Sequence, residues 1–143
     1  MKQAKMINRL IEIKQRAADE AETAHASAHY ATLAAEECLK NAVSGWKYFT
    51  EEKSEIRSIA DLEHRDRQYK WLRKIIADAE RDVASARNDE AAKREVMTEA
   101  RIELRRYETW LENTKELHRL ESARTQRLAD DEVAARKGRM GNG

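Results

Sequence analysis

From Ala17 to Phe49, the residues Ala17, Ala21, Ala24, Ala28, Ala31, Ala35, Cys38, Ala42, Gly45 and Phe49 recur at steps of four and three. That spacing marks one face of a helix in a coiled coil. Nearly every side chain on it is alanine-sized, so a facing helix can approach closer than the usual interaxial distance of about 8 to 10 Å. A stripe this small buries little alone and requires a long partner helix. Proline is absent and glycine is confined to Gly45 and to positions from Gly138 onward, so the interior carries few residues that would break a helix.

Helix 1 is expected from about residue 3 to 56, since Ile7, Leu10 and Ile13 already share a face ahead of the alanine stripe. Gly45 is read as a seam residue that admits a close backbone, and Cys38 as a small packing residue on the same stripe. The periodicity fails between Ser54 and Asp61. Ser58 followed three residues later by Asp61 resembles a helix start, which places the turn at about 57–60. Helix 2 then runs from about residue 61 to 137, with Gly138 as its stop and 138–143 as a flexible tail. Its stripe is Leu72, Ile76, Ala79, Val83 and Ala86, then Met97, Ala100, Leu104, Tyr107 and Leu111. Glu90 and Lys93 fall on the same face between the two halves. The cost of an unpaired buried charge favours a shift of the seam onto Ala91 and Ala92 there.

The fold class expected is therefore all-α: two long helices forming an antiparallel coiled-coil hairpin with an alanine-rich, closely packed seam. Folding back near residue 59 sets Ala42 near Ile76, Ala17 near Ala100, and Ile7, Leu10 and Ile13 near Tyr107, Trp110 and Leu111. About 20 residues from His118 to Lys137 form a helical overhang whose sparse apolar residues give it little to bury.

Charged residues make up 38% of the chain, yet the net charge is only +1, with both signs spread along its length. That balance offers no general attraction to nucleic acid or an anionic membrane. No run of 18 apolar residues occurs, so direct membrane insertion is not expected and the chain reads as cytoplasmic. His25 and His29 lie one turn apart, but with Glu22 as the one nearby carboxylate they fall short of a metal site, so both are read as solvated flank positions. A two-helix hairpin builds no concave pocket for catalysis and the chain has no Gly-rich phosphate loop, so neither enzymatic activity nor a cofactor is expected.

The aromatic residues carry more information. Trp46, Tyr48 and Phe49 on helix 1 converge with Tyr69, Trp71 and Leu72 on helix 2 at the turn end. Consecutive helical positions cannot all face one narrow seam, so some of Trp46, Lys47 and Tyr48 point outward. Aromatic side chains flanked by Arg65, Arg67, Lys70, Arg73 and Lys74 make a reasonable partner-binding patch.

The opening Ile7-Asn8-Arg9-Leu10 with Ile13-Lys14, the segment Trp46-Lys47-Tyr48-Phe49-Thr50-Glu51-Glu52, the following Tyr69-Lys70-Trp71-Leu72 and the charged C-terminal helix together resemble the YscO/FliJ family of type III secretion and flagellar export proteins, on its YscO side. The resemblance implies a cytoplasmic hairpin at the base of a membrane-embedded secretion machine, acting as the central stalk of a hexameric secretion ATPase. It implies that the terminal end enters the ATPase ring, that the far end faces the export gate protein, and that secretion chaperones are further partners. Carried onto this chain, Trp46, Tyr48, Phe49, Tyr69, Trp71, Leu72, Ile76 and Ala79 form the gate- or chaperone-facing region. Arg119, Arg124 and Arg127 with the acidic run Asp130, Asp131 and Glu132 lie in the ring. Two other readings compete: a structural coiled-coil rod or dimerising tether, and a helical secretion chaperone or adaptor. A stalk is expected to be a monomer when isolated, a tether a dimer, and a chaperone would show a broad Met- or Leu-rich surface that this sequence lacks.

Overall fold

The computed structural model describes residues 2–52 and 55–141. They form two helices, α1 (Lys2–Glu51) and α2 (Ile59–Gly141), with no strand among the described residues. The fold is the expected all-α helical hairpin. It divides into two units, Met1–Ala18 with Ala100–Gly143 (unit 1) and Asp19–Glu99 (unit 2), and each helix contributes to both.

The helix ends follow local chemistry. Beyond Phe49 no α1 side chain turns inward, and the polar residues from Thr50 have nothing to pack on, so α1 ends at Glu51 rather than near 56. Its last turn is closed by the Glu52 amide donating to the Tyr48 carbonyl at 3.1 Å. Ser58 caps α2 as its spacing from Asp61 suggests: the Asp61 amide donates to Ser58 Oγ at 3.2 Å, and the Arg57 amide to Asp61 Oδ2 at 3.1 Å. Each bond satisfies a backbone donor at the helix start. At the other end Gly138 is no stop. α2 continues through it to Gly141, and no described glycine has a positive φ, the conformation a glycine cap would use. The expected flexible tail is thus helical over 138–141, and Asn142 and Gly143 lie outside the described residues.

In unit 2 the inward side chains of α1 are Ala21, His25, Ala28, Thr32, Ala35, Leu39, Ala42, Trp46 and Phe49, in alternating steps of four and three. The seam is alanine-rich, but every second member differs from the sequence expectation. Ala31, Cys38 and Gly45 are exposed on the flank, and Thr32, Leu39 and Trp46 take their places. A Cβ added at Gly45 would meet nothing within 4 Å, so the glycine serves no close approach there. Free Cys38 is likewise a surface residue. On α2, Leu72, Ile76, Ala79, Val83 and Ala86 turn inward as expected, and the stripe continues to Glu90 instead of shifting to the exposed Ala91 and Ala92. In the cross-helix pairs of this unit the residue numbers rise on one helix as they fall on the other, as antiparallel helices require: Trp46 with Tyr69, Glu36 with Arg87, His29 with Glu90.

In unit 1 the inward α1 residues are Ala4, Ile7, Ile11, Lys14 and Ala18, packed on α2 at Ala100, Leu104, Tyr107 and Leu111. Ala17 is exposed and Ala18 buried in its stead. Ile13 and Trp110, expected in the clamp at this end, are both exposed, and Ile11 fills the inward step. Lys14 occupies a seam position by laying its stem along the apolar surface; its Nζ stands 5.4 Å from the Tyr107 ring centroid and 3.6 Å from Glu103 Oε1.

Candidate functional site

Six of the eight residues expected to face a partner at the turn end are spent on holding α1 to α2. Tyr69 is the centre of a three-ring cluster in unit 2. Its ring lies edge-on to Trp46 (centroids 5.2 Å apart, 68° between planes) and to Phe49 (4.8 Å, 77°). Edge-to-face pairs contribute about 0.5 to 1.5 kcal/mol each beyond the area they bury. The Arg73 guanidinium sits 5.9 Å from the Trp46 ring centroid, and Arg65 Nη2 donates to the Glu52 carbonyl at 2.9 Å, tying α2 to the end of α1. Leu72 and Ile76 are half-buried behind the cluster and Ala79 is buried.

The remaining two, Tyr48 and Trp71, point outward and are 73% and 62% exposed. The helical phase explains the split: with Trp46 and Phe49 inward, Lys47 and Tyr48 must point away, and with Tyr69 and Leu72 inward so must Lys70 and Trp71. Around the turn Ile56, Ile59 and Leu62 are also exposed apolar residues. They lie outside the patch expected from the sequence, although bulky apolar residues where the periodicity fails are a usable sign of a contact surface.

The far part of α2 in unit 1 differs. Past Glu121 every described side chain is exposed except half-buried Ala123. Arg119 grips Glu116 one turn back through two hydrogen bonds, Nε to Oε2 at 3.0 Å and Nη2 to Oε1 at 2.7 Å. This fork holds the Glu116 carboxyl below its ordinary value and raises the guanidinium further. Asp130 accepts from Gln126 Nε2 at 3.1 Å, and Glu132 pairs with Arg136 at 3.1 Å. Arg124, Arg127 and Asp131 are exposed. Leu117, Leu120, Leu128 and Val133 stand exposed among these charges. Leu117 lines a shallow groove with Lys2, Gln3, Trp110, Thr114 and His118.

One polar cluster in unit 2 escaped the sequence reading. Glu90, only 8% exposed, accepts a hydrogen bond from His29 Nδ1 at 2.7 Å and lies 3.5 Å from Arg94 Nη2. Thr32 is buried; its hydroxyl donates to the Ala28 carbonyl at 3.1 Å and also lies within reach of Glu90, so its single proton serves one acceptor at a time. Of the expected solvated histidines, then, His29 is half-exposed and paired, and His25 turns into the seam with its Nε2 buried and without a hydrogen-bond partner. Among the described residues no three His, Cys, Asp or Glu side chains converge as a metal site would need.

The hydrogen bonds from His29 and Thr32, with the charge of Arg94, outweigh burial and hold the Glu90 carboxyl below its ordinary value of 4.5. A carboxyl lowered in the folded state adds stability at pH values above its unfolded value, and that stability disappears as pH falls through the folded one. The melting temperature of the native chain is therefore expected to exceed that of Glu90→Gln at pH 7, with the gap closing on titration to below pH 4.5. A gap independent of pH would contradict this role for the carboxylate.

No helix among the described residues is long and apolar enough to cross a membrane. No curated protein and no solved structure matches the chain. A family model described as flagellar FliJ protein matches residues 3–143.

Proposed function

The chain belongs to the flagellar FliJ protein family of export stalk proteins, and from that footing we propose that it is the non-enzymatic central stalk of a type III export ATPase. In this reading it works in the cytoplasm as a monomer, links the hexameric ATPase ring to the export gate protein, and engages secretion chaperones on the way. The observation that carries the reading is the far part of α2, which remains helical to Gly141 while nearly all its side chains past Glu121 face outward. A charged helix in that state can occupy a channel and make weak, exchangeable contacts with successive subunits of a ring. Arg124 and Arg127 are exposed cations for that contact, and Arg119 acts while gripping Glu116. At the turn end, Tyr48 and Trp71 with Ile56, Ile59 and Leu62 form the gate- or chaperone-facing surface.

The test adds the purified chain to the export ATPase of the same source and follows hexamer formation and ATP turnover together. The full chain is expected to promote the ring and alter turnover. A chain ending at Tyr107, and the full chain carrying Arg119→Glu, Arg124→Glu and Arg127→Glu together, are expected to do neither. If the triple variant behaves as the native chain does, the assignment of the α2 end to the ring is wrong.

A further inference from the structure

Along its alanine stretch the apolar seam of unit 2 does little to fix which residues lie opposite which, whereas at the turn end the Tyr69 ring between Trp46 and Phe49 does so. Ala21, Ala28, Ala35 and Ala42 form one inward series of α1, seven residues apart and identical, so sliding α2 by one heptad replaces alanine by alanine along that series. Away from that ring cluster, a further contact is needed to single out the observed register.

The edge of α1 that carries His29 supplies it. One heptad to either side of His29, on the same edge, stand Glu22 and Glu36. In the observed register Glu90 receives the His29 Nδ1–H at 2.7 Å and Glu36 pairs with Arg87 at 3.1 Å. A slide by one heptad in one direction brings Glu90 level with Glu22 and Arg87 level with His29. A slide in the other brings Glu90 level with Glu36 and Arg87 level with Val43. Each alternative sets the buried Glu90 carboxylate against a second carboxylate and separates Arg87 from Glu36, with Arg94 brought level with that second carboxylate; Thr32 is replaced beside Glu90 by His25 in one slide and by Leu39, which offers no hydrogen bond, in the other.

We propose that His29 and Glu90 form a register lock, in which the pair holds α1 and α2 of unit 2 in one heptad alignment and Glu22 and Glu36 penalise the two neighbouring alignments. A buried polar group at one seam position is the best-attested means by which coiled coils specify register, at some cost in stability. The lock rests on contacts within unit 2 and holds whatever the chain binds. It suits a two-helix element that transmits displacement, because helices free to slip would absorb the movement.

Disulfide trapping tests it. In a chain with Cys38→Ser and Val83→Cys, the observed register sets residue 83 level with residue 35, and the two slipped registers set it level with 28 or 42. Cysteines placed singly at Ala35, Ala28 or Ala42 report each alignment. With the lock intact, the 35–83 disulfide is expected to form with the slipped ones about tenfold lower. Glu90→Ala is expected to raise both slipped products several-fold, with the ring cluster at the turn end still favouring the native one. Exchanging the partners, Glu22→His with His29→Glu, is expected to raise 28–83 well above 42–83. The proposal is overturned if 35–83 stays dominant to the same degree in the Glu90→Ala chain, and that chain, whose new residue is already common in the seam, decides the matter if the exchanged chain loses its helicity.

Discussion

Ile7→Asp is expected to open unit 1. Ile7 is 0% exposed and is the one large side chain among the described residues that is fully withdrawn from water. It is enclosed in a seam otherwise made of small or half-exposed groups such as Ala4, Lys14 and Ala18. Removing a buried isoleucine side chain costs about 2 to 5 kcal/mol, and placing a carboxylate there without a partner adds to that. A single domain has only about 5 to 15 kcal/mol in hand, so pairing over Lys2–Ala18 and Ala100–Leu111 should be largely lost. Amide hydrogen exchange localises the effect. Protection in those two segments should fall by about a hundredfold or more, since each 1.4 kcal/mol is a factor of ten, with a smaller change over Asp19–Glu99. Ile7→Val, expected to cost about 0.5 to 1.5 kcal/mol, separates loss of packing from loss of the whole unit. Native-like protection in the Ile7→Asp chain would show that unit 1 is held together elsewhere.

What could be read from sequence divides along the size of the side chains. On α2 the inward residues Leu72, Ile76, Val83, Met97, Leu104 and Leu111 are large, their polar neighbours are charged, and the stripe stands out. On α1 alanine occurs both in the seam and on its flank, and a methyl group moves so little apolar area that the pattern hardly distinguishes Ala17 from Ala18 or Ala31 from Thr32. The true series also contains Lys14, His25 and Thr32, polar residues that a search for apolar periodicity passes over. Glu90 was misjudged for a related reason. The partner that makes its burial tolerable, His29, is 61 residues away in sequence, whereas the Ser58–Asp61 cap is local and was legible. At the turn end, residue type brings the aromatic residues together, but a seam read one residue out of phase on α1 hides that Tyr48 faces solvent while Trp46 does not.

That phase gives the second large effect, because neighbouring aromatic residues on the same helix should behave in opposite ways. Tyr69 touches both Trp46 and Phe49 and is half-buried. Truncating a fully buried aromatic side chain costs about 3 to 5 kcal/mol, and partial exposure brings Tyr69→Ala to about 2 to 3 kcal/mol. The loss should appear as a lower urea midpoint and faster exchange near Trp46–Phe49. Trp71, two positions on, makes no ring contact among the described residues and is mostly in water, so Trp71→Ala should change stability by no more than about 0.5 kcal/mol. The ranking reverses for recognition. If the turn end is the gate-facing surface, Trp71→Ala together with Tyr48→Ala should weaken binding to the gate protein about tenfold or more with the fold intact, as loss of an exposed aromatic anchor does. A Trp71→Ala chain that unfolds as readily as Tyr69→Ala would refute the division between packing and contact residues. A stable double variant that binds the gate as the native chain does would leave the packing intact and remove the turn end as the docking surface.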